Sequence, residues 1–161
     1  MNSIRCFIYT ALILFANPVV PLNLYAEGLE GLSKGQTIYV PAYAHIYSGV
    51  REKPFYLTVT LSIRNIDPRH PITIVSVDYY ESQGVHLKKI VDKPVALQAL
   101  GAIRRVVSQK DKSGGSGANF IVRWTAENAV NAPIVETIMI GTQSGQGISF
   151  TSRGKALLLP E

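Results

Sequence analysis

The chain has 161 residues, enough for one domain, and carries 16 basic and 11 acidic residues for a net charge of +5. The basic residues are scattered and form no stripe interleaved with aromatic residues, so a nucleic-acid partner is not expected. Such a modest positive excess is typical of an ordinary soluble surface, and the partners it would favour are anionic lipid head groups, acidic glycans or an acidic protein.

The N-terminus has the pattern of a secretory signal. An apolar run over residues 6–16 follows Arg5 and is interrupted at Pro18. This run of 11 residues is too short for a bilayer, which needs about 20, and it matches the apolar region of a signal peptide. We predict a signal peptide over residues 1–26 that is cleaved after Ala26. The mature protein would then be exported, and periplasmic if the cell has an outer membrane, without a transmembrane segment. A buried helix and an uncleaved anchor are the alternatives.

The only cysteine, Cys6, lies within the predicted signal peptide. It stands at the beginning of the apolar run, whereas the cysteine of a lipoprotein directly follows the cleavage site. The mature chain would therefore contain no thiol. Disulfides, thiolate metal sites and cysteine nucleophiles are thereby excluded from the predicted domain.

From residue 37 onward, apolar and polar residues alternate, which is typical of half-buried β-strands. Residues 27–36 are polar and glycine-rich and are predicted to form a flexible lead-in. The clearest strand is 55–64, in which Phe55 and every second residue up to Ile63 form one apolar face. Further strands are predicted over residues 72–81, 85–91, 95–97, 102–108, 118–126, 134–141 and 148–153.

Seven to nine short strands without an amphipathic helix indicate a single all-β domain over residues 37–157. We expect an antiparallel, immunoglobulin-like β-sandwich, with a closed barrel as the alternative. Trp124, the only tryptophan, is expected to fill the core between the sheets rather than bind a ligand.

The residues form no catalytic or metal-binding signature. His45, His70 and His86 lack the close spacing of metal ligands, and no G-x-S-x-G elbow occurs. Asp78 and Glu81 lie on a predicted strand and are interpreted as part of a solvated face. We therefore expect neither a cofactor nor a metal.

Two glycine-rich stretches, 113–117 and 145–147, invite comparison with phosphate-binding loops. The first lacks the lysine of a P-loop, and the second lacks the strand-then-helix context of a dinucleotide site. A strand is predicted after each, so hairpin loops with permissive backbones explain both.

Two groups of side chains are candidates for binding a ligand or a partner. Aromatic residues recur between residues 39 and 47, where tyrosines with a histidine are suited to stacking on sugar rings or contacting a protein. Hydroxyl groups and an arginine lie between residues 144 and 153, where they would give an anion or glycan several donors at one end of the sandwich. The residues are Tyr39, Tyr43, His45, Tyr47, Ser144, Ser149, Ser152 and Arg153. The alternative for the tyrosines is that they cover the open end of the core.

Five short motifs extend along the predicted domain: YVPAY at 39–43, SIRN at 62–65, VDYY at 77–80, SGGSGANF at 113–120 and GQGISFTSRG at 145–154. As a set they resemble an uncharacterised bacterial family, the domain of unknown function 3124, over residues 37–155. The resemblance implies an exported bacterial protein without an established activity. It supplies no catalytic residue.

We therefore expect a non-enzymatic binding or accessory module of the cell envelope, with an envelope protein or glycan as its partner. One alternative is a hydrolase that uses His45 with a carboxylate brought in by the fold. Another is a structural or assembly module that pairs through a sheet edge.

Overall fold

The computed structural model describes residues 31–48, 52–143 and 145–158. This part of the chain contains β-strands and no helix, which confirms the predicted all-β class. The strands are β1 (Ser33–Pro41), β2 (His45–Ser48), β3 (Lys53–Tyr56), β4 (Thr58–Arg64), β5 (Ile72–Tyr80), β6 (His86–Val91), β7 (Val95–Leu97), β8 (Ala102–Val107), β9 (Asn119–Val130), β10 (Ile134–Gln143), β11 (Gln146–Arg153) and β12 (Lys155–Ala156).

Six strands form the first sheet, and all of its pairs are antiparallel. The order is β12-β1-β9-β5-β6, and the short β7 pairs with the beginning of β5. The 12-residue β9 is central, because it pairs with β1 on one side and with β5 on the other.

The second sheet has the order β11-β10-β4-β8 and is also antiparallel. Strand β4 confirms the alternation seen in the sequence: Val59, Leu61 and Ile63 are 0 % exposed, whereas Arg64 is exposed. The predicted strand 55–64 is interrupted at Leu57. Its first residues belong to β3, which pairs with β2 in a separate two-stranded hairpin.

The hydrophobic core lies between the two larger sheets, and the domain is a β-sandwich. Trp124 and Phe120 of the first sheet belong to the same buried cluster as Leu61 and Met139 of the second. Trp124 is 1 % exposed, which confirms its predicted place in the core. Burial of this apolar surface is the main contribution to the stability of the fold.

The described residues contain more strands than the seven to nine predicted, because short strands such as β2 and β12 lack a readable alternation. Strand β1 begins at Ser33, so the end of the predicted lead-in is paired with β9 and is not flexible. The predicted signal peptide lies outside the described residues. Within the part that is described, no helix is long and apolar enough to cross a membrane.

Candidate functional site

The β2–β3 hairpin has one face toward the core and one face away from it. Ile46 pairs with Phe55, and the Phe55 side chain is 5 % exposed. On the opposite face His45 pairs with Tyr56, and Tyr47 is 57 % exposed. Paired residues, and residues two apart on one strand, project to the same side of a sheet. His45, Tyr47 and Tyr56 therefore share one surface, which we call the hairpin aromatic face.

The His45 ring contacts the other two rings of this face in edge-to-face geometry. The His45 ring centroid lies 5.1 Å from that of Tyr47, with an interplanar angle of 88°, and 5.7 Å from that of Tyr56, at 64°. Edge-to-face contacts of this kind are favourable for aromatic rings and hold them in a defined arrangement.

Close approach of β10 seats the hairpin on the sandwich. A Cβ atom on Gly141 would lie 2.6 Å from the Tyr56 carbonyl oxygen and 2.7 Å from the Phe55 ring. Only a glycine leaves room for the hairpin at this distance. The backbone N–H of Leu57 also donates to the carbonyl of Ala44 at 2.9 Å, which joins the two ends of the hairpin.

A lysine completes the hairpin aromatic face. The Lys112 Nζ atom lies 4.4 Å from the centroid of the Tyr56 ring, within the range of a cation–π interaction. Hydrogen bonds from neighbouring residues hold the loop that carries Lys112 in place. Gln109 Nε2 donates to the Tyr56 carbonyl at 3.1 Å, and the Asp111 carboxylate accepts from Lys88 Nζ at 2.6 Å and from Ser113 Oγ at 2.6 Å. The hydrogen bond from Lys88, followed by that from Ser113, lowers the pKa of Asp111 to about 2.

The glycine-rich stretch 113–117 is a packed loop. The carbonyl oxygen of Gly114 accepts from the Ser82 backbone N–H and hydroxyl, each at 3.1 Å, and the carbonyl of Gly115 accepts from the Ala44 N–H at 2.9 Å. Gly115 has a φ of +76°, which favours glycine, and a Cβ atom on Gly114 would collide with the Tyr79 hydroxyl. These contacts account for the glycines at 114 and 115 without a phosphate ligand.

His45 has no carboxylate beside it in the described part of the chain. Its Nδ1 atom is buried and has no hydrogen-bond partner among those residues. The histidines that do contact carboxylates are His70, 3.1 Å from Asp67, and His86, 3.2 Å from Asp78. No cluster of three or more metal-ligating side chains occurs within the described ranges.

Asp78 is buried, contrary to its interpretation as part of a solvated face. It is 5 % exposed, and its carboxylate lies 3.2 Å from His86 Nε2, Arg123 Nη1 and Ser76 Oγ. Its two neighbours along β5 belong to the core, so Asp78 lies on the outer face of the first sheet. It is buried there by side chains from neighbouring strands, which the alternation along β5 does not reveal.

The structure divides the four aromatic candidates. His45 and Tyr47 meet on the hairpin aromatic face. Tyr56 and Lys112 lie there too, although neither was a candidate from the sequence. Tyr39 pairs with Ile121 on the first sheet, and Tyr43 packs its ring edge-on against Phe150 with centroids 5.7 Å apart. The spacing of four residues does not create one surface, because the chain leaves β1 after Pro41.

Ser149, Ser152 and Arg153 lie along β11 and do not form one cluster. Ser149 and Arg153 are exposed on one side of β11, while Ser152 alternates to the other side and is partly buried. The four residue steps from Ser149 to Arg153 span about 13 Å at the rise of a β-strand. Ser144 lies outside the described residues.

A groove of about 740 Å³ lies at the end of the sandwich where β10 begins. Gln36, Ile66, Asn131, Pro133 and Arg153 contribute to its walls. The Arg153 candidate therefore borders this groove, away from the hairpin aromatic face.

These features define an all-β sandwich with an aromatic hairpin against one end and no cluster of metal ligands in its described part. The family model for a protein of unknown function, DUF3124, matches residues 35–157. The chain belongs to this family. No curated protein matches the sequence. A crystal structure of Thermotoga maritima 1070 is similar with a TM-score of 0.45 and 7 % identity, covering 74 % of this chain and 92 % of that chain.

Proposed function

We propose that the protein is an exported, non-enzymatic binding module of the cell envelope that holds a glycan on the hairpin aromatic face. The observation that carries this proposal is the contiguity of His45, Tyr47 and Tyr56, with Tyr47 more than half exposed. Large exposed aromatic side chains grouped in one patch are typical of binding surfaces rather than of ordinary protein surface.

The chemistry of the face suits a sugar ring. The C–H surface of a sugar packs on an aromatic ring, while its hydroxyl groups need polar partners at the rim. Tyrosine hydroxyls supply donors and acceptors, and the Lys112 ammonium beside Tyr56 supplies further donors. The rings need little reordering on binding, because their mutual contacts and the loop around Asp111 already hold them.

Titration of the purified protein with envelope glycan fragments and short neutral oligosaccharides, followed by NMR or calorimetry, tests this proposal. A stacked aromatic ring contributes about 1 kcal/mol, so Tyr47→Ala should weaken association by about fivefold. Tyr39→Ala is the matched control, since Tyr39 is an exposed tyrosine on the first sheet and does not belong to the hairpin aromatic face. Equal loss in both variants, or no glycan binding at all, would refute the proposal.

Export, like the immunoglobulin-like character of the sandwich, is part of the proposal. It is supported by the N-terminal apolar run that ends before Pro18. Expression of the full chain in a bacterium, followed by N-terminal sequencing of the periplasmic fraction, should give a mature protein that starts at Glu27. Retention of the intact chain in the cytoplasm would contradict it.

The alternative of assembly through a sheet edge is favoured by one feature. Strand β8 is an edge of the second sheet, and its Val106 is 56 % exposed. Arg104 and Arg105 lie on the same strand, and charged side chains oppose edge-to-edge pairing. Strictly monomeric behaviour in light scattering would eliminate this alternative.

A further inference from the structure

The outward face of the second sheet collects three arginines. Val59, Leu61 and Ile63 point into the core, so the alternate residues of β4 project outward. Cross-strand pairing then brings further residues onto the same face. One row across the sheet runs from Arg153 through Glu136 and Ser62 to Arg104, and the next row contains Arg64.

Positive charge on this face exceeds negative charge. Arg64 Nε lies 3.9 Å from Glu136 Oε1 and 3.3 Å from Ser62 Oγ, which is a weak ion pair and a hydrogen bond. Arg104 and Arg153 have no carboxylate within 4.0 Å in the described part of the chain. We call the surface of Arg64, Arg104 and Arg153 the arginine face.

A depression of about 280 Å³ lies on the arginine face. Arg64 and Arg104 contribute to its walls, together with Ser62, Thr60 and Ile138. Its volume is close to the lower limit of small-ligand sites, about 300 Å³. Two guanidinium groups beside a hydroxyl match the geometry of a carboxylate, which arginine binds through two parallel hydrogen bonds.

We propose that the arginine face binds an acidic polysaccharide, with a uronate carboxylate in the depression between Arg64 and Arg104. Arg153 lies three strand spacings from Arg104, about 14 Å, so one small anion does not reach both. A chain with repeated carboxylates does.

Hydroxyl groups on this face favour a polysaccharide over an acidic peptide. Thr60, Thr151 and Ser149 carry hydroxyl groups on the same side of the sheet, where they can bond to sugar hydroxyls. Strands β4 and β10 are paired on both sides, so their backbone N–H and C=O groups are already used and none is left for a peptide strand.

This inference does not depend on the hairpin aromatic face. The six residue steps from Thr58, next to the hairpin, to Arg64 span about 20 Å. Variants on one surface therefore leave the other intact, and each proposal is tested separately.

Calorimetric titration with oligogalacturonate, with a neutral oligosaccharide of equal length as reference, tests the arginine face. Arg104→Gln and Arg64→Gln should each lower the association constant by about tenfold, because each removes a charge-assisted hydrogen bond. Glu136→Gln should raise it, since it removes the only negative charge in the row. Arg69→Gln is the matched control: Arg69 is exposed in a loop, and only its backbone N–H bonds to Asp67.

Circular dichroism of each variant verifies that it is folded. Equal binding by Arg104→Gln and Arg69→Gln would overturn the proposal. Equal affinity for a polyglutamate peptide or for anionic lipid vesicles would also overturn it, because the surface would then recognise charge alone. Retention of oligogalacturonate binding in Tyr47→Ala separates this site from the hairpin aromatic face.

Discussion

Removal of the Tyr79 hydroxyl is expected to stabilise the protein. The Tyr79 side chain is 0 % exposed, and its ring lies 4.8 Å from that of Phe120 in the core. Its hydroxyl is buried without a hydrogen-bond partner among the described residues. Burial, together with the Asp111 carboxylate, raises the pKa of Tyr79 to about 12, so the hydroxyl keeps its proton at physiological pH.

The magnitude follows from the cost of an unpaired buried polar group. Such a group costs about 1–3 kcal/mol, and Tyr79→Phe removes it while the ring keeps its packing. Part of the gain is lost because the space of the oxygen stays empty, so we expect an increase of about 1 kcal/mol in the free energy of unfolding. For a domain of this size the midpoint of thermal unfolding should rise by about 3–5 °C.

A double-mutant cycle with Gly114 tests the geometry behind this prediction. A Cβ atom at Gly114 would collide with the Tyr79 hydroxyl, and overpacking of this kind costs about 1–3 kcal/mol. Gly114→Ala should therefore cost less in the Tyr79→Phe background, by about 1 kcal/mol. Gly147→Ala is the control, since its Cβ would have only an ordinary contact at 3.9 Å. Chemical denaturation gives the four free energies. A destabilising Tyr79→Phe, or additive effects of the two substitutions, would show that the hydroxyl has a partner or that Gly114 lies elsewhere.

Three further predictions concern the loops and the hairpin. Hydrogen bonds from the backbone N–H groups of Arg69 and His70 hold the pKa of Asp67 well below its ordinary value of 3.8. The contribution of this carboxylate to stability is complete above pH 3.8. In denaturation experiments, the stability advantage of the protein over Asp67→Asn should therefore shrink as the pH falls below 3.8. Asp111→Asn removes the ion pair with Lys88 and should leave Lys112 less ordered. Because a partly exposed ion pair contributes only a modest free energy, glycan binding should weaken about twofold. Unchanged affinity would contradict a role for this loop. Gly141→Ala should displace the hairpin and weaken binding at least as much as Tyr47→Ala, with a normal circular dichroism spectrum as the check that the sandwich itself is intact.

Local alternation was sufficient to predict the sandwich but not every buried polar group. The apolar residues of strand β4 are buried as the sequence indicates, and Ser62, on the predicted polar face, is buried as well. Asp78 lies on the outer face of β5, but side chains from β6 and β9 bury it there, and alternation along a single strand does not indicate such cross-strand contacts. Alternation along β11 separates Ser152 from Ser149 and Arg153, so a pattern already visible in the sequence places these three candidates on two sides of the strand.

Only half of the residues at the hairpin aromatic face could be predicted from the sequence, because they come from three separate segments of the chain. His45 and Tyr47 are neighbours on β2, whereas Tyr56 joins them only through hairpin pairing and Lys112 only through a loop that follows β8. No local pattern indicates the contact between Lys112 and Tyr56. The glycine at 141, which the hairpin requires, lies in yet another strand.

Strand β10 links the two proposed binding surfaces. Gly141 at its end supports the hairpin, and Glu136 near its beginning lies between the arginines of the other surface. Between them, Thr137 and Met139 are 0 % exposed, and the Thr137 hydroxyl donates to the Pro41 carbonyl at 2.6 Å. Both surfaces are thus carried by a strand fixed in the core on its inner side. Substitutions of the outward-facing residues should therefore change ligand binding without disturbing the packing of β10 in the core.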